Sequence, residues 1–246
     1  MTQLRALVTG AGTRVGQAIA LALGGRGAKV AVHYHSSREG ADHTIEQMRA
    51  AGGDGVALQA DLSDRASAKQ LAVDTLQALG GLDLLVPSAA NFERVALDDI
   101  DDGYWDRAMD LNLRAPFLLA HGCRDALKQS KGSITFITCS SATVPFRNHL
   151  PYTVSKAAVR HLMRTLSLEL APDVRVNAIA PGTVLPPPDM SEQDLALLTS
   201  RIPLNKVGSA EDIARTVLFL LDSPFITGHE VHVDGGRSVA GFERFV

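Results

Sequence analysis

The chain is predicted to fold as an α/β protein: a doubly wound, mostly parallel, seven-stranded sheet with helices on both faces. Three observations predict it. Short apolar runs of strand length alternate with longer segments of helical periodicity along all 246 residues, and such alternation builds βαβ units with right-handed crossovers. Several runs are mainly apolar, Leu82–Val86, interrupted only by Asp83, being the strongest, which marks strands buried on both faces. The first run passes directly into a glycine-rich turn, Thr9-Gly10-Ala11-Gly12-Thr13-Arg14-Val15-Gly16, and that turn opens the first helical segment, which is the Rossmann-type order.

Taken in order, strands are expected at Leu4–Val8, Lys29–His33, Val56–Gln59, Leu82–Val86, Ser133–Thr138, Val174–Ile179 and Glu230–Val233. Between them, helices are expected from about Val15 to Leu23, Gly40 to Ala51, Arg65 to Leu79, Tyr104 to Leu127, Tyr152 to Ala171 and Ala210 to Leu221. No linker or internal repeat interrupts the series, so residues 1–246 read as one domain. The one long irregular region begins at Pro181 and runs to about Ser191, carrying Pro186-Pro187-Pro188. A loop of that length in a compact domain is more often a lid than padding, and residues 183–205 are read as the substrate-binding loop.

The bulk numbers exclude several function classes. A chain with 46% hydrophobic and 21% charged residues buries a large core and is not disordered. A formal net charge of −3 with no block of like charge leaves no electrostatic footprint for nucleic acid or an anionic membrane. The expected partners are a small-molecule substrate and copies of the chain itself. Two cysteines, Cys123 and Cys139, are too few for a disulfide framework and lack metal-ligand spacing, which fits a reducing compartment. With no leader-like apolar run at the start and no uninterrupted apolar stretch long enough to span a bilayer, the expected location is the cytoplasm.

Three local patterns carry chemistry. In the glycine-rich turn, Gly10 and Gly16 let the backbone approach a pyrophosphate, while the N-terminus of the following helix at Thr13, Arg14 and Val15 offers free N–H groups and a positive dipole end. At the end of the second strand, an NAD site places an acid about 20 residues after the glycines; this chain has His33-Tyr34-His35-Ser36-Ser37-Arg38 instead. Hydroxyls, imidazoles and an arginine without an acid suit a ribose 2′-phosphate, with Arg14 and Arg38 as its cations, so the expected cofactor is NADP(H). His33 and His35, two apart on a strand, share a face, but without a third ligand they make no metal site. Further on, Tyr152 and Lys156 stand four apart in a helical segment. Such residues share a face, so the ammonium is expected to lower the phenol pKa toward the range of general acid–base work.

These motifs, with Ala60-Asp61-Leu62 after the third strand, Leu111-Asn112-Leu113, Pro181-Gly182 and the closing Val233-Asp234-Gly235-Gly236, resemble the short-chain dehydrogenase/reductases over essentially the whole chain. Within that family the sequence looks most like the pteridine reductases and their dihydrofolate-reducing relatives. The shared features are Arg14 inside the glycine turn, the His33–Ser37 stretch, Phe92 after the fourth strand, the run Ala171–Gly182 and the Val-Asp-Gly-Gly-Arg-Ser ending.

The resemblance implies hydride transfer from NADPH to a polarised C=O or C=N carbon, with Tyr152 protonating the heteroatom and Lys156 assisting it while binding the nicotinamide ribose. It also implies that Asn112 holds a proton-relaying water and that Asp61 with Leu62 meets the adenine. His35, Ser36, Ser37 and Arg38 would surround the 2′-phosphate, and Ser88, Ala89, Pro181, Gly182 and Val184 the nicotinamide side. Phe92 would stack a planar substrate. The same scaffold also serves 3-oxoacyl, sugar or steroid carbonyls, and a weakly active or non-catalytic NADP-binding protein is a further alternative.

The departures are specific. Where the family has a catalytic Ser and the pteridine reductases an Asp, this chain has Cys139, whose thiol is a weak donor. Ser140 follows directly, and a shift of one residue would put it in the role, so both are candidates, with Cys139 also a candidate substrate contact. The stretch Pro87-Ser88-Ala89-Ala90-Asn91-Phe92 replaces the family's Asn-Asn-Ala, and Ala90 falls where the pteridine reductases have a pterin-contacting Ser. The two central helical segments carry more apolar residues than one sheet face needs: Trp105, Met109, Leu111, Phe117, Leu118 and Leu119 in the first, then Val154, Val159, Leu162, Met163, Leu166 and Leu168. Together with the resemblance, this implies a dimer or a two-fold homotetramer.

Overall fold

The computed structural model describes residues 3–186 and 190–240 of the protein; Pro187 and Pro188 of the expected lid lie outside the described residues. The strands are β1 (Arg5–Val8), β2 (Lys29–Tyr34), β3 (Asp54–Gln59), β4 (Leu84–Val86), β5 (Ser133–Ile137), β6 (Arg175–Pro181) and β7 (Glu230–Val233). All pair in parallel, and among the described residues they form one seven-stranded sheet in the order β3-β2-β1-β4-β5-β6-β7. The order reverses beside β1, so a crevice opens at the carboxyl ends of β1 and β4, where doubly wound sheets bind ligands.

Alternate strand residues point to opposite faces, and each face is buried under its own helices. On one side Leu7, Leu85, Ile134 and Phe136 pack with α3 (Arg65–Leu79), α5 (Ala115–Ser130) and α6 (Leu150–Glu169), through Leu71, Leu119 and Met163 among others. On the other side Val8, Val30, Leu84 and Val86 pack with α1 (Arg14–Gly24), α2 (Arg38–Ala50) and α8 (Ala210–Leu221), through Ile19, Met48 and Val217. Polar signals set the helix ends: Asp64 accepts from Ser67 N–H at the start of α3, Gly80 closes it in a left-handed conformation, and Ser209 with Asp212 forms a capping box on α8.

Several element ends shift by about two residues from the sequence expectation, and three differences bear on the site. The long helix expected from Tyr104 to Leu127 is divided into α4 (Asp102–Met109), a wide π turn over Asp110–Arg114, and α5. Pro116 sits in the first turn of α5. It has no N–H to give to the carbonyl four residues before it, that of Asn112, so the regular ladder cannot pass through this point. The stretch 183–205, expected as the substrate-binding loop, contains a helix, α7 (Glu192–Thr199), that starts where the expected irregular region ends and is capped by Ser191, which accepts from Asp194 N–H; Ser-x-x-Asp is its signal in the sequence. Finally, β6 runs on to Pro181, because it pairs with β5 through Ile179 and with β7 as far as Val233.

The surplus apolar residues of the central helices are partitioned. Leu119, Val159 and Met163 are buried in the core, whereas Trp105, Phe117, Val154 and Leu168 stay exposed. Among the described residues no helix is long and apolar enough to cross a membrane.

Phe136, on β5, is fully buried. Phe136→Ala is expected to lower unfolding free energy by about 3–5 kcal/mol, the cost of an unfilled core cavity, as read from the urea midpoint at unchanged slope.

Candidate active site

The glycine turn is folded tightly at the end of β1. Gly10 has φ 64°, and a Cβ there would lie 3.2 Å from Ala89 Cα, while a Cβ at Gly16 would lie 2.3 Å from the Gly10 carbonyl oxygen. Only glycine allows this approach. Thr13 precedes α1 without a side-chain cap, so the first N–H groups of the helix remain available to an anion. Two residues to which the sequence assigned no role here brace the turn. Thr9 Oγ1 accepts from both Ser88 N–H and Ala89 N–H at 2.9 Å, joining β1 to the segment after β4. His33, buried, accepts from Gly10 N–H through Nδ1 and donates through Nε2 to the Ala60 carbonyl, each at 3.1 Å. His35, two residues on, is exposed and lies 3.9 Å from Asp61.

At the end of β2, Ser36 and Ser37 are followed by Arg38, whose Nε donates to Asp42 Oδ2 at 2.8 Å and whose other nitrogen reaches the Tyr34 hydroxyl at 3.2 Å. Asp42 thus shares the charge that the sequence assigned wholly to a phosphate. Arg14 adopts a left-handed backbone (φ 55°) and donates to the Leu185 carbonyl at 3.0 Å, tying the turn to the start of the lid. Asp61 accepts from Ser63 N–H and Ser63 Oγ, and these bonds hold its carboxyl below the usual range. Val184 is buried next to the Pro181-Gly182 turn, and Gly182 N–H donates to the Val233 carbonyl.

Tyr152 and Lys156 lie one turn apart on α6, with the ammonium 5.7 Å from the phenol ring centre. The expected tuning is not what the geometry shows. Lys156 Nζ donates to the Ile137 carbonyl at 2.9 Å, and burial lowers its pKa to about 8. Burial first, and the adjacent Cys139 second, push the Tyr152 phenol well above its ordinary value. Desolvation outweighs the cation here because the ammonium is bonded elsewhere.

Of the two candidates for the third position, Cys139 is the one placed against Tyr152. It continues β5 in an extended conformation, and its Sγ accepts from Ser141 N–H at 3.4 Å. Ser140 is buried at the start of the short turn Ser140–Ala142. Asn112, buried in the π turn, accepts from Asn91 N–H at 3.0 Å and donates to Ser155 Oγ at 3.1 Å. It therefore links the segment after β4 to α6 between Tyr152 and Lys156.

Phe92 is largely exposed, and it does not stand alone. Its ring stacks on His149 at 4.2 Å and 11°, meets Tyr152 edge-on at 4.7 Å and Phe146 at 6.0 Å. His149 Nδ1 lies 2.9 Å from the Glu93 carbonyl, and burial holds its pKa below the ordinary imidazole value. The sequence reading missed Phe146, His149, Thr9, Ser155 and the bracing role of His33. Neither aromatic lies in a motif, and only tertiary structure brings the 146–149 loop to Phe92.

Comparison with known proteins agrees with this geometry. A family model described as Enoyl-(Acyl carrier protein) reductase matches residues 10–238. Versicolorin reductase 1 of Aspergillus parasiticus is 34% identical over 258 residues, covering 94% of this chain and 95% of the relative. The 3-oxoacyl-[acyl-carrier-protein] reductase of Staphylococcus aureus is 34% identical over 239 residues, covering 94% and 96%. Among solved structures, a blue fluorescent protein from a metagenomic library in complex with NADPH superposes with a TM-score of 0.89 at 29% identity, covering 95% of this chain and 97% of that one.

The buried imidazole of His33 gives a stability test. Its pKa is lowered from 6.5 to about 4 by burial, so the unfolded chain binds its proton first as pH falls. Stability from this group is complete above pH 6.5 and is lost as pH falls toward 4, by roughly 3 kcal/mol. Urea unfolding at pH 7 and pH 4.5 is expected to show the loss, and His33→Asn, less stable at pH 7, should show a flatter dependence across that window.

Proposed function

The chain belongs to the short-chain dehydrogenase/reductase family and is an oxidoreductase of that type, and on that premise we propose that it is an NADPH-dependent reductase of a carbonyl carried by a planar, aromatic or heteroaromatic substrate. The observation that carries this reading is the Tyr152 phenol held between the Cys139 thiol and the edge of the exposed Phe92 ring. A planar molecule laid along Phe92 would bring its carbonyl oxygen to that phenol.

The glycine turn, the uncapped start of α1 and the acid-free end of β2 fit a dinucleotide with a 2′-phosphate. When bound, NADPH supplies the hydride. Gly10, Gly16 and the N–H groups of Arg14 and Val15 would hold the pyrophosphate, and His35, Ser36, Ser37, Arg38 and Arg14 the adenosine phosphate. Asp61 and Leu62 would border the adenine, and Ser88, Ala89, Pro181, Gly182 and Val184 the nicotinamide. Residues 183–205, including α7, would close over the substrate.

Tyr152 enters the reaction as the proton donor. Its raised pKa keeps the phenol protonated near neutrality, which suits reduction better than proton abstraction from an alcohol. Lys156, with a pKa of about 8, remains mostly ammonium at pH 7 and can restore the proton, while Asn112 holds α6 against the segment carrying Phe92. Cys139 borders the oxygen site as a weak donor. A dihydropterin or dihydrofolate belongs to the planar class, but reduction of its C=N bond gains from an acid that can feed a ring nitrogen, and the thiol does not provide one. A ring carbonyl is therefore favoured over a ring imine.

The Staphylococcus relative supports a second reading, an aliphatic 3-oxoacyl thioester. Following NADPH absorbance with aromatic ketones and quinones, dihydrobiopterin and a 3-oxoacyl thioester decides between them. The planar reading expects kcat/KM at least tenfold higher for the aromatic carbonyls. The opposite ranking overturns it, and tight NADPH binding without turnover of any member points to a non-catalytic NADP-binding protein. The exposed Trp105, Phe117, Val154 and Leu168 support self-association as a dimer or tetramer.

Two predictions follow from these assignments. NADPH should bind at least tenfold more tightly than NADH, about 1.4 kcal/mol, and Arg38→Ala should narrow the difference in calorimetric titrations. Cys139→Ser should raise kcat on a carbonyl substrate while leaving NADPH affinity unchanged, because it restores a competent donor beside Tyr152; loss of activity in Ser140→Ala with no gain in Cys139→Ser would assign the role to Ser140 instead.

A further inference from the structure

A cleft of about 430 Å³ lies under the lid helix, lined by Arg94, Met190, Asp194, Leu197, Leu198, Arg201 and Arg237. Its charge is lopsided: three guanidinium groups stand against one carboxylate. Asp194 is occupied within its own helix start, since its Oδ2 accepts from Ser191 Oγ at 2.7 Å. Among the described residues no carboxylate lies within ion-pair distance of Arg94, Arg201 or Arg237. Arg237 instead donates to Thr183 Oγ1 at 2.9 Å, which ties the cleft to the Pro181-Gly182 turn.

The cleft also adjoins the aromatic bracket. Arg94 follows Glu93, whose carbonyl holds His149, and its charge is close enough to disfavour protonation of that imidazole. His149 in turn stacks on Phe92, and Phe92 meets Tyr152. Arg94, two residues from Phe92 in the chain, thus joins the cleft to the ring along which a planar substrate would lie. Cations that line one cleft and, among the described residues, have no carboxylate partner raise its positive potential, and apolar walls such as Leu197, Leu198 and Met190 strengthen that field. An organic anion suits that potential, and guanidinium groups match a carboxylate or phosphate in planar, bidentate geometry.

We propose that this cleft is the tail subsite of the substrate, and that the substrate carries an anionic group, a carboxylate or a phosphate, at the end remote from its reacting carbonyl, held by Arg94 and Arg201 with Arg237 as the inner cation. The proposal rests on the planar-carbonyl reading for its orientation, but the binding of an aromatic anion does not require turnover. It also concerns residues other than those assigned to the adenosine phosphate.

The test uses two probes of nearly the same shape, 2-naphthoate and its neutral methyl ester, titrated into the full chain. The acid is expected to bind at least tenfold more tightly than the ester. Arg94→Gln and Arg201→Gln should each narrow that ratio, the double variant should abolish it, and raising salt from low to molar concentration should shrink it. Arg38→Ala should leave it unchanged, and adenosine 2′-phosphate should not displace the naphthoate. Equal binding of acid and ester overturns the proposal, as does a ratio that the double variant leaves intact. Loss of naphthoate binding in Arg38→Ala, or its displacement by adenosine 2′-phosphate, also overturns it by placing the anion at the cofactor's phosphate site. The phosphate and carboxylate sources are separated by repeating the titration with 2-naphthyl phosphate, either ester-to-anion gain supporting the subsite. NADPH oxidation by a neutral aromatic ketone and its carboxylated analogue separates the two readings. If neither reacts while the acid-to-ester ratio holds, the reductase reading fails and the anion subsite stands; if both react equally and the ratio is absent, the reductase stands and the subsite falls.

Discussion

A buried ammonium organises the centre of this protein. Lys156 is only 3% exposed, and leaving such a charge without a partner would cost several kcal/mol. Its one described hydrogen bond is to the Ile137 carbonyl, the last residue of β5, so α6 must lie against that strand end in a single register. The same register carries Tyr152 one turn earlier to Cys139, just beyond the strand, and places Ser155 under the Asn112 amide. The site is therefore positioned by the need to satisfy a cation inside the fold.

A second set of contacts, built from neutral groups, holds the cofactor side. Thr9 Oγ1 gathers two N–H groups from the segment after β4, and His33 spans from Gly10 to Ala60, linking the ends of β1, β2 and β3. Charging His33 would remove the lone pair that accepts from Gly10, so the glycine turn keeps its shape only while that imidazole stays neutral. The low pKa imposed by burial gives that condition a wide margin near neutrality. The turn that would receive a highly charged ligand is thus held by groups that carry no charge of their own.

Much of the fold was legible in the sequence because its signals are local. The seven strands, α3 and α8 follow from apolar runs and caps, and the glycine turn declares itself by position. The interruption at Asn112 was missed because hydrophobic periodicity runs through it unbroken, although Pro116 marked the place where the hydrogen-bond ladder had to fail. The expected Lys-to-Tyr coupling was wrong for a different reason. Spacing on a helix shows that two side chains share a face, but it cannot show that one of them is bonded to a carbonyl on another element. Likewise Arg38 is assigned from sequence to a phosphate without its Asp42 partner, because the helix expected from Gly40 in fact starts at Arg38 and sets the two one turn apart. His149 and Phe146 had no local signal at all.

One of the departures from the family pattern, Cys139, lies beside the phenol. Tyr152, Lys156 and Asn112 occupy one connected set of contacts, and the neighbour of the phenol is a thiol. A hydroxyl or carboxyl there would orient the substrate oxygen and share in its proton transfer; a thiol is larger, softer and a weaker donor. Orientation must then come from elsewhere, and the structure offers a broad aromatic surface beside the phenol, formed by Phe92 backed by His149 and Phe146. Stacking fixes the plane of a flat molecule without a hydrogen bond at its reacting oxygen, whereas a flexible aliphatic chain gains little from such a surface. Under the proposed reading, the thiol at Cys139 and the aromatic cluster at Phe92 would act in the same direction, the plane of the substrate taking over the orienting role of a hydroxyl.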